Sequence, residues 1–187
     1  MNYYIADLHL GHKNAIVFDN RPFENVDQMD DEIIKRWNSV VKKEDHVYVM
    51  GDIALKSPNI AISYVKKLSG HIYLITGNHD RLNDEYRKCF ESVDELLVID
   101  DYIYGQKRKV AMCHYWIPFY PLQRYGLYFL HGHTHNSKEY RLEEEMKQKI
   151  RNNGIRCEAY NVGCMFQDYY PQTLEQIVER QKRKVNL

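Results

Sequence analysis

Ile72-Tyr73-Leu74-Ile75 runs through Thr76 into Gly77-Asn78-His79-Asp80. The run is β-branched and aromatic, with Gly70 before it and Gly77 after it. That pattern reads as a buried strand ending in a turn. An asparagine, a histidine and an aspartate are thus delivered together at the C-terminal end of a strand. In α/β sheets this is where ligands and catalytic groups gather. Taken alone the tetrapeptide reads equally well as a polar turn, since Gly-Asn is ordinary turn chemistry. The rest of the chain decides between the two.

The same arrangement recurs on both sides. Tyr3-Tyr4-Ile5-Ala6 leads into Asp7-Leu8-His9, and His46-Val47-Tyr48-Val49-Met50 into Gly51-Asp52. Lys109–Cys113 ends at His114, and Leu127–Leu130 ends at His131-Gly132-His133-Thr134-His135. Between the strands lie helical patterns. One runs from Asp27 to Val41, with Met29, Ile33, Ile34, Trp37, Val40 and Val41 on one face and acids crowding its start. Ser57-Pro58 opens a second, reaching about Leu68. Further helices are expected over 84–90, 141–152 and 173–184, and a strand over Cys157–Val162. Residues 14–26 read as loop, with Asp19-Asn20-Arg21-Pro22 a turn. Leu96–Ile99 and Tyr102–Tyr104 read as a hairpin folded across Asp100-Asp101. Alternating strands and helices point to mixed α/β in one domain.

Bulk properties bound the function. The 187 residues are enough for one domain with a real core. Lysine plus arginine equals aspartate plus glutamate at 26 each, so no bulk charge draws the chain to nucleic acid or an anionic membrane, although a local basic groove stays open. No apolar run approaches the roughly 18 residues of a membrane span. No signal peptide is read at the N-terminus, which makes reduced cysteines in a cytoplasmic protein the expectation for Cys89, Cys113, Cys157 and Cys164. Sixteen tyrosines and nine histidines stand out, because most of the histidines cluster at strand ends.

Five strand ends bearing Asp, Asn or His are hard to assign to packing, since buried charge is costly unless paired or metal-bound. They read as a metal site. In Asp7-x-His9 and His133-x-His135, residues two apart on an extended backbone point to one side. Gly11, Gly51, Gly77 and Gly132 flank the turns. Carboxylate, imidazole and amide donors without thiolate suit manganese, iron, zinc or nickel rather than a cysteine-type structural zinc. Seven candidates exceed one four-coordinate site and suit two ions about 3.5–4 Å apart that share a carboxylate.

The ordered series Asp7-Leu8-His9, Gly51-Asp52, Gly77-Asn78-His79-Asp80, His114 and Gly132-His133-Thr134-His135 resembles the calcineurin-like metallophosphoesterase superfamily. It spans residues 7 to 135. The stretches Gly11-His12-Lys13-Asn14 and Arg21-Pro22-Phe23 resemble, less specifically, its small bacterial and phage-type phosphoesterases. The resemblance implies two mixed β-sheets packed as a sandwich, flanked by helices in four αββα layers. It implies one metal on Asp7, His9, Asp52 and His135, and a second on Asp52, Asn78, His114 and His133, with a bridging hydroxide attacking phosphorus. His79 would contact the phosphate and protonate the leaving oxygen, oriented by Asp80. The activity implied is hydrolysis of a phosphoester, a phosphodiester first, on a small molecule or nucleotide. A nuclease or a dinucleoside polyphosphate hydrolase is the alternative, with neutral charge weighing against long nucleic acid. A non-catalytic metal-binding scaffold ranks below both, because the motif set is whole.

Four features stand at the margin of this reading. His12 and Arg21 are candidate phosphate contacts, each with an ordinary loop role as its rival. His131 is a candidate for the layer behind the ligands, and Asn161-Val162-Gly163 for a structural cap. His46 and His71 start strands at the end away from the site and are expected to be structural. Tyr115-Trp116-Ile117-Pro118-Phe119-Tyr120-Pro121 follows His114, where its aromatics would either stack on a nucleobase or aryl group or pack as a loop or dimer contact. The basic tail Lys182-Arg183-Lys184 reads as a solvated helix end.

Overall fold

The computed structural model describes residues 1–55 and 57–185, and the side chains of all of these but Lys184 and Val185. Eight strands form two four-stranded sheets. In the first, β1 (Asn2–Ile5), β2 (His46–Val49), β3 (His71–Ile75) and β4 (Ser92–Asp94) lie in that order, all parallel. In the second, β5 (Leu96–Ile103) pairs antiparallel with β6 (Gln106–Cys113). The strands β7 (Tyr128–His131) and β8 (Ala159–Asn161) then follow in parallel. One sheet is therefore parallel throughout and the other mixed, a refinement of the two mixed sheets expected.

Period-2 alternation sorts the side chains into layers. Ile5, Val47, Val49, Ile72 and Leu74 face outward from the first sheet. They pack on Met29, Ile33 and Trp37 of α2 (Val26–Val40), on Ala61 and Val65 of α3 (Pro58–Val65) and on Tyr86 of the short α4 (Asp84–Arg87). Tyr4, Tyr48, Met50 and Ile75 face the other way and meet Val110, Met112, Leu130 and Tyr160 of the second sheet. The helix α6 (Leu174–Val185) adds Leu174, Ile177 and Val178 to that inter-sheet core. On the far side, Ala111, Phe129 and Ala159 pack under Tyr120, Leu127 and Ile150, the last from α5 (Lys138–Asn152). The result is an αββα sandwich.

Several of the tyrosines build the inter-sheet layer. Tyr4, Tyr48 and Tyr73 stack across β1, β2 and β3 with ring centroids 5.5 and 4.7 Å apart. The Tyr4 hydroxyl donates to Asp101 on β5 at 2.6 Å, tying one sheet to the other. That contact explains why the hairpin does not fold at Asp100-Asp101. Asp101 binds Tyr4, and Asp100 pairs with Lys107 and Lys109 of the neighbouring strand at 2.9 and 3.2 Å. The strand runs on to Ile103, and the chain reverses at Tyr104-Gly105, where φ is 51° and 72°.

Two further differences concern helices. Residues 14–26 are not all loop: α1 (Lys13–Phe18) is a six-residue helix with no side-chain cap and no acid in its first turn. Neither periodicity nor capping marks so short an element. Helix α5 begins at Lys138, capped by the Ser137 hydroxyl, three residues before the charged pattern suggested. At the C-terminus Lys182 and Arg183 are exposed, and the Lys182 ammonium lies over the Tyr104 ring at 5.3 Å. The Lys184 side chain lies outside the described residues. No helix among those residues is long and apolar enough to cross a membrane.

Candidate metal centre

Because β1, β2 and β3 are parallel, and β6, β7 and β8 likewise, their C-terminal ends share one edge of the sandwich. Main-chain bonds clamp these ends together. Asp7, His9 and Leu10 N–H donate to the carbonyls of Gly51, Asp52 and Ile53 at 3.1, 3.0 and 2.9 Å. Ala6 N–H bonds to Val162 and Cys164 N–H returns to Ala6, which joins the two sheets at this corner.

Asp7, His9, Asp52 and His135 each offer one ligand atom, all within 4.8 Å of one another. Beside them, Asn78 Oδ1 lies 2.9 Å from His114 Nε2 and 3.1 Å from His133 Nδ1. Asp52 stands between the groups. Its Oδ2 is 3.7 Å from His9 Nε2 and 3.7 Å from His114 Nε2, while its Oδ1 accepts from the His79 amide at 2.9 Å. All seven ligand candidates read from the sequence are thus brought together.

They converge by a different device from the extended alternation expected. Asp7, His9, Asp52, His133 and His135 all have positive φ, between 47° and 73°. Asp and His are among the side chains that tolerate this region best. Left-handed turns past the strand ends swing each side chain toward the centre, at a backbone cost carried by the surrounding fold. Two glycines make room for it. A Cβ on Gly77 would stand 2.2 Å from Asp52 Oδ1, and one on Gly132 2.6 Å from Asp7 Oδ2. These glycines serve close approach, since neither has a positive φ.

The hydrogen bonds behind the ligands define which atoms face the centre. His114 Nδ1 lies 2.8 Å from the Met50 carbonyl and His135 Nδ1 2.9 Å from Asp19 Oδ1. Where Nδ1–H donates and Nε2 carries no proton, both Nε2 lone pairs point inward. His114 Nε2 then meets the Asn78 oxygen, acceptor against acceptor, a contact that a shared cation would make favourable. Burial, with His135 and Arg21 nearby, pushes the His9 imidazole down to about 2, and burial with His114 lowers His133. Both shifts favour the neutral ring that ligation requires. Burial pushes the Asp7 carboxyl up to about 6, with His135 and His114 pulling the other way. Burial alone would lower His135, but its bond to Asp19 outweighs that and raises it. Imidazole nitrogens, buried carboxylates and an amide oxygen fit a divalent ion of the borderline class.

Asp19 had no place in the sequence reading beyond a turn. It is 5 % exposed and holds both His135 and the guanidinium of Arg21, whose Nε and Nη2 lie 3.0 and 2.9 Å from Oδ2. Arg21 itself is a correction. It is 4 % exposed, and its remaining N–H groups bond the carbonyls of Leu8 and Asp7 at 2.8 and 2.9 Å. It faces the loop that carries the ligands and leaves no donor for a substrate phosphate.

Asp80 also differs from expectation. Its carboxylate accepts from the amides of Asp52, Gly77 and Ile53 at 2.8, 2.9 and 3.2 Å, so it organises the two ligand turns instead of gripping the His79 ring. His79 and His12 line a cleft of about 440 Å³ on the His9–His135 flank, with Phe18, Leu55 and Glu139 on its walls. The His79 ring centroid is 5.6 Å from that of His9.

Behind the last motif lies a second unforeseen group. His131 Nε2 is 3.1 Å from Glu143 Oε1 and 3.0 Å from Lys147 Nζ, with Lys147 wholly buried. The Thr134 hydroxyl, between the two ligand histidines, donates to Glu143 Oε2 at 3.0 Å and accepts from Asn161 at 3.0 Å. His46 and His71 stack on each other at the opposite end of the sheet. In the aromatic loop, Trp116 and Tyr120 pack into the outer core and Tyr120 accepts from the Glu158 amide. Tyr115 lies against the cluster, its ring centroid 4.6 Å from that of His133.

A family model described as the calcineurin-like phosphoesterase superfamily domain matches residues 3–173. The chain belongs to the calcineurin-like phosphoesterase superfamily. An uncharacterized protein of Methanocaldococcus jannaschii is 41% identical over 87 residues, which cover 46% of this chain and 49% of that protein. The Gene 66 proteins of Mycobacterium phages L5 and D29 are 29% and 28% identical, each match covering 72% of this chain and 77% and 78% of theirs. The crystal structure of a protein of unknown function from Aquifex aeolicus shares the fold, with a TM-score of 0.66, 23% identity, and 99% and 98% of the two chains covered. This phosphoesterase domain places its Asp/His cluster where the strand ends meet.

Proposed function

We propose that this calcineurin-like domain hydrolyses a small phosphodiester with the help of two divalent ions. The observation that carries the reading is Asp52 Oδ2, which faces His9 and His114 at equal distance and so belongs to two ligand groups at once. One ion would be held by Asp7, His9, Asp52 and His135, the other by Asp52, Asn78, His114 and His133. Manganese, iron, zinc and nickel all suit these donors. Bound there, the ions supply a water of lowered pKa as nucleophile and offset the charge of the phosphate oxygens.

The chain's own side chains do the rest. His79 stands in the cleft beside the cluster, tied through its amide to Asp52. Its ring N–H would donate to the leaving oxygen as the bond from phosphorus to that oxygen breaks. His12, which lines the same cleft, would bond a phosphate oxygen. Asp80 acts through the backbone, holding the Gly77 and Asp52 turns in register.

The test is reconstitution. Metal-stripped protein is loaded with manganese, iron(II), zinc or nickel in turn, and bound metal and hydrolysis of bis(p-nitrophenyl) phosphate are measured. Two ions per chain and metal-dependent turnover are expected, with Asp52→Ala losing both ions. Two ions with no turnover for any metal would make the protein a metal-binding scaffold.

A further inference from the structure

The cleft beside the cluster has one wall whose chemistry the hydrolytic step does not use. Ala15 and Phe18 from α1 and Leu55 from the segment after β2 give the cleft its apolar lining beside the histidines. Phe18 is 72 % exposed, although it sits at the rim of a concave site. Scattered exposed apolar side chains are ordinary, but this one lines the cleft with Leu55 and Ala15 and lies edge-on to His12, ring centroids 6.3 Å apart. Ser137 and Glu139 line the same cleft; the Ser137 hydroxyl donates to Glu139 Oε2 at 3.3 Å, and the carboxylate presents hydrogen-bond acceptors. Apolar walls with a few placed polar groups mark small-molecule sites, and about 440 Å³ falls in their size range.

We infer that Phe18, with Leu55 and Ala15, seats an aromatic ring carried by the phosphoester, so that the substrate is of the nucleotide kind. The inference rests on the phosphoesterase reading above. With the phosphate at the histidine cluster, the ring of a nucleoside lies over the open face of Phe18. Its sugar hydroxyls or base N–H groups then reach Glu139. The aromatic loop after His114, for which this role was one of two readings, packs its Trp116 and Tyr120 into the outer core. The short helix α1 takes the role in its place.

The test compares two esters with the same leaving group, thymidine 5′-(p-nitrophenyl phosphate) and methyl p-nitrophenyl phosphate, on metal-loaded wild type and Phe18→Ala. Wild type is expected to prefer the thymidine ester. Phe18→Ala is expected to lower the ratio of the two kcat/KM values about tenfold, chiefly through KM, as loss of one stacking contact would. Phe18→Tyr should restore it. Equal loss on both esters, or no wild-type preference, overturns the assignment. Bound metal and melting temperature show that the variant is intact, since an exposed ring contributes little to the core. Turnover of neither ester would count against the phosphoesterase reading instead. The wall is then judged by calorimetry with thymidine 5′-phosphate: about tenfold weaker binding to Phe18→Ala supports it, and equal or no binding to the two proteins rejects it.

Discussion

Oδ1 of Asp19 lies 2.9 Å from Nδ1 of His135, so a carboxylate outside every recognised motif sets which nitrogen of that histidine faces the cluster. Partners of this kind orient a ligand ring and raise its basicity. Asp19→Asn keeps the shape but exchanges a charged acceptor for a neutral one. The expected result is a 10–100-fold loss of affinity at one metal site, read by calorimetry with manganese, and retained affinity at the other.

Arg21 yields a prediction that separates scaffold from substrate contact. Its side chain is fully enclosed and spans Asp19 and the carbonyls of Asp7 and Leu8. Arg21→Ala leaves the Asp19 carboxylate buried with His135 as its remaining partner. Breaking a buried pair in this way costs about 3–5 kcal/mol. Urea denaturation of the metal-free protein should show that loss. A phosphate clamp would leave stability unchanged and raise KM.

These two residues also show where the sequence stops being legible. The strand ends could be read because each is an apolar alternating run followed at once by Asp, Asn or His, and because parallel strands must bring such ends to one edge. The αββα layering follows from the same alternation. Asp19-Asn20-Arg21-Pro22 has every mark of an exposed turn, and nothing local distinguishes a carboxylate that closes back onto His135, 116 positions away. Lys147 sits in a helix so charged that solvation is the natural reading, yet it is buried, paired with Glu143 one turn earlier on the same helix and with His131 of β7 across the fold. The loop after His114 allowed two readings, stacking on a substrate or packing as a loop. Its aromatic content invites a binding role, and packing against Phe129 and Cys157 claims Trp116 and Tyr120.

Glu143 gives the pH prediction. Burial alone would raise its carboxyl, but His131 and Lys147 hold it down at about 2, against an ordinary 4.5. A depressed acid contributes stability that is complete above its unfolded value and lost as pH falls through the folded one. The window therefore runs from about pH 4.5 down to 2. At pH 7, Glu143→Gln should cost about 3 kcal/mol by chemical denaturation, moderated by Glu144, which still lies 2.8 Å from Lys147. The gap between wild type and variant should narrow as the pH is lowered through that window. A constant gap would mean that the carboxylate's charge contributes nothing.

Gly77-Asn78-His79-Asp80 divides its work among residues, and substitutions along it should separate metal binding from turnover. Gly77 has no room for a side chain, since a Cβ would strike Asp52 Oδ1 at 2.2 Å. Gly77→Ala must displace the carboxylate shared by both ligand groups, so both ions should bind more weakly. His79 contributes only its amide to the cluster, donated to Asp52 at 2.9 Å, and its ring lines the cleft. Its backbone bond survives truncation of the ring. His79→Ala should therefore keep both ions and lose about 10²–10⁴-fold in kcat, the usual range for removing a general acid. The loss should shrink on esters whose leaving group needs no proton, such as p-nitrophenolate, and grow on alkyl esters. Metal content measured beside kcat on the two ester types decides the matter: loss of metal in His79→Ala would make the ring a ligand, and equal loss on both esters would remove it from the proton transfer.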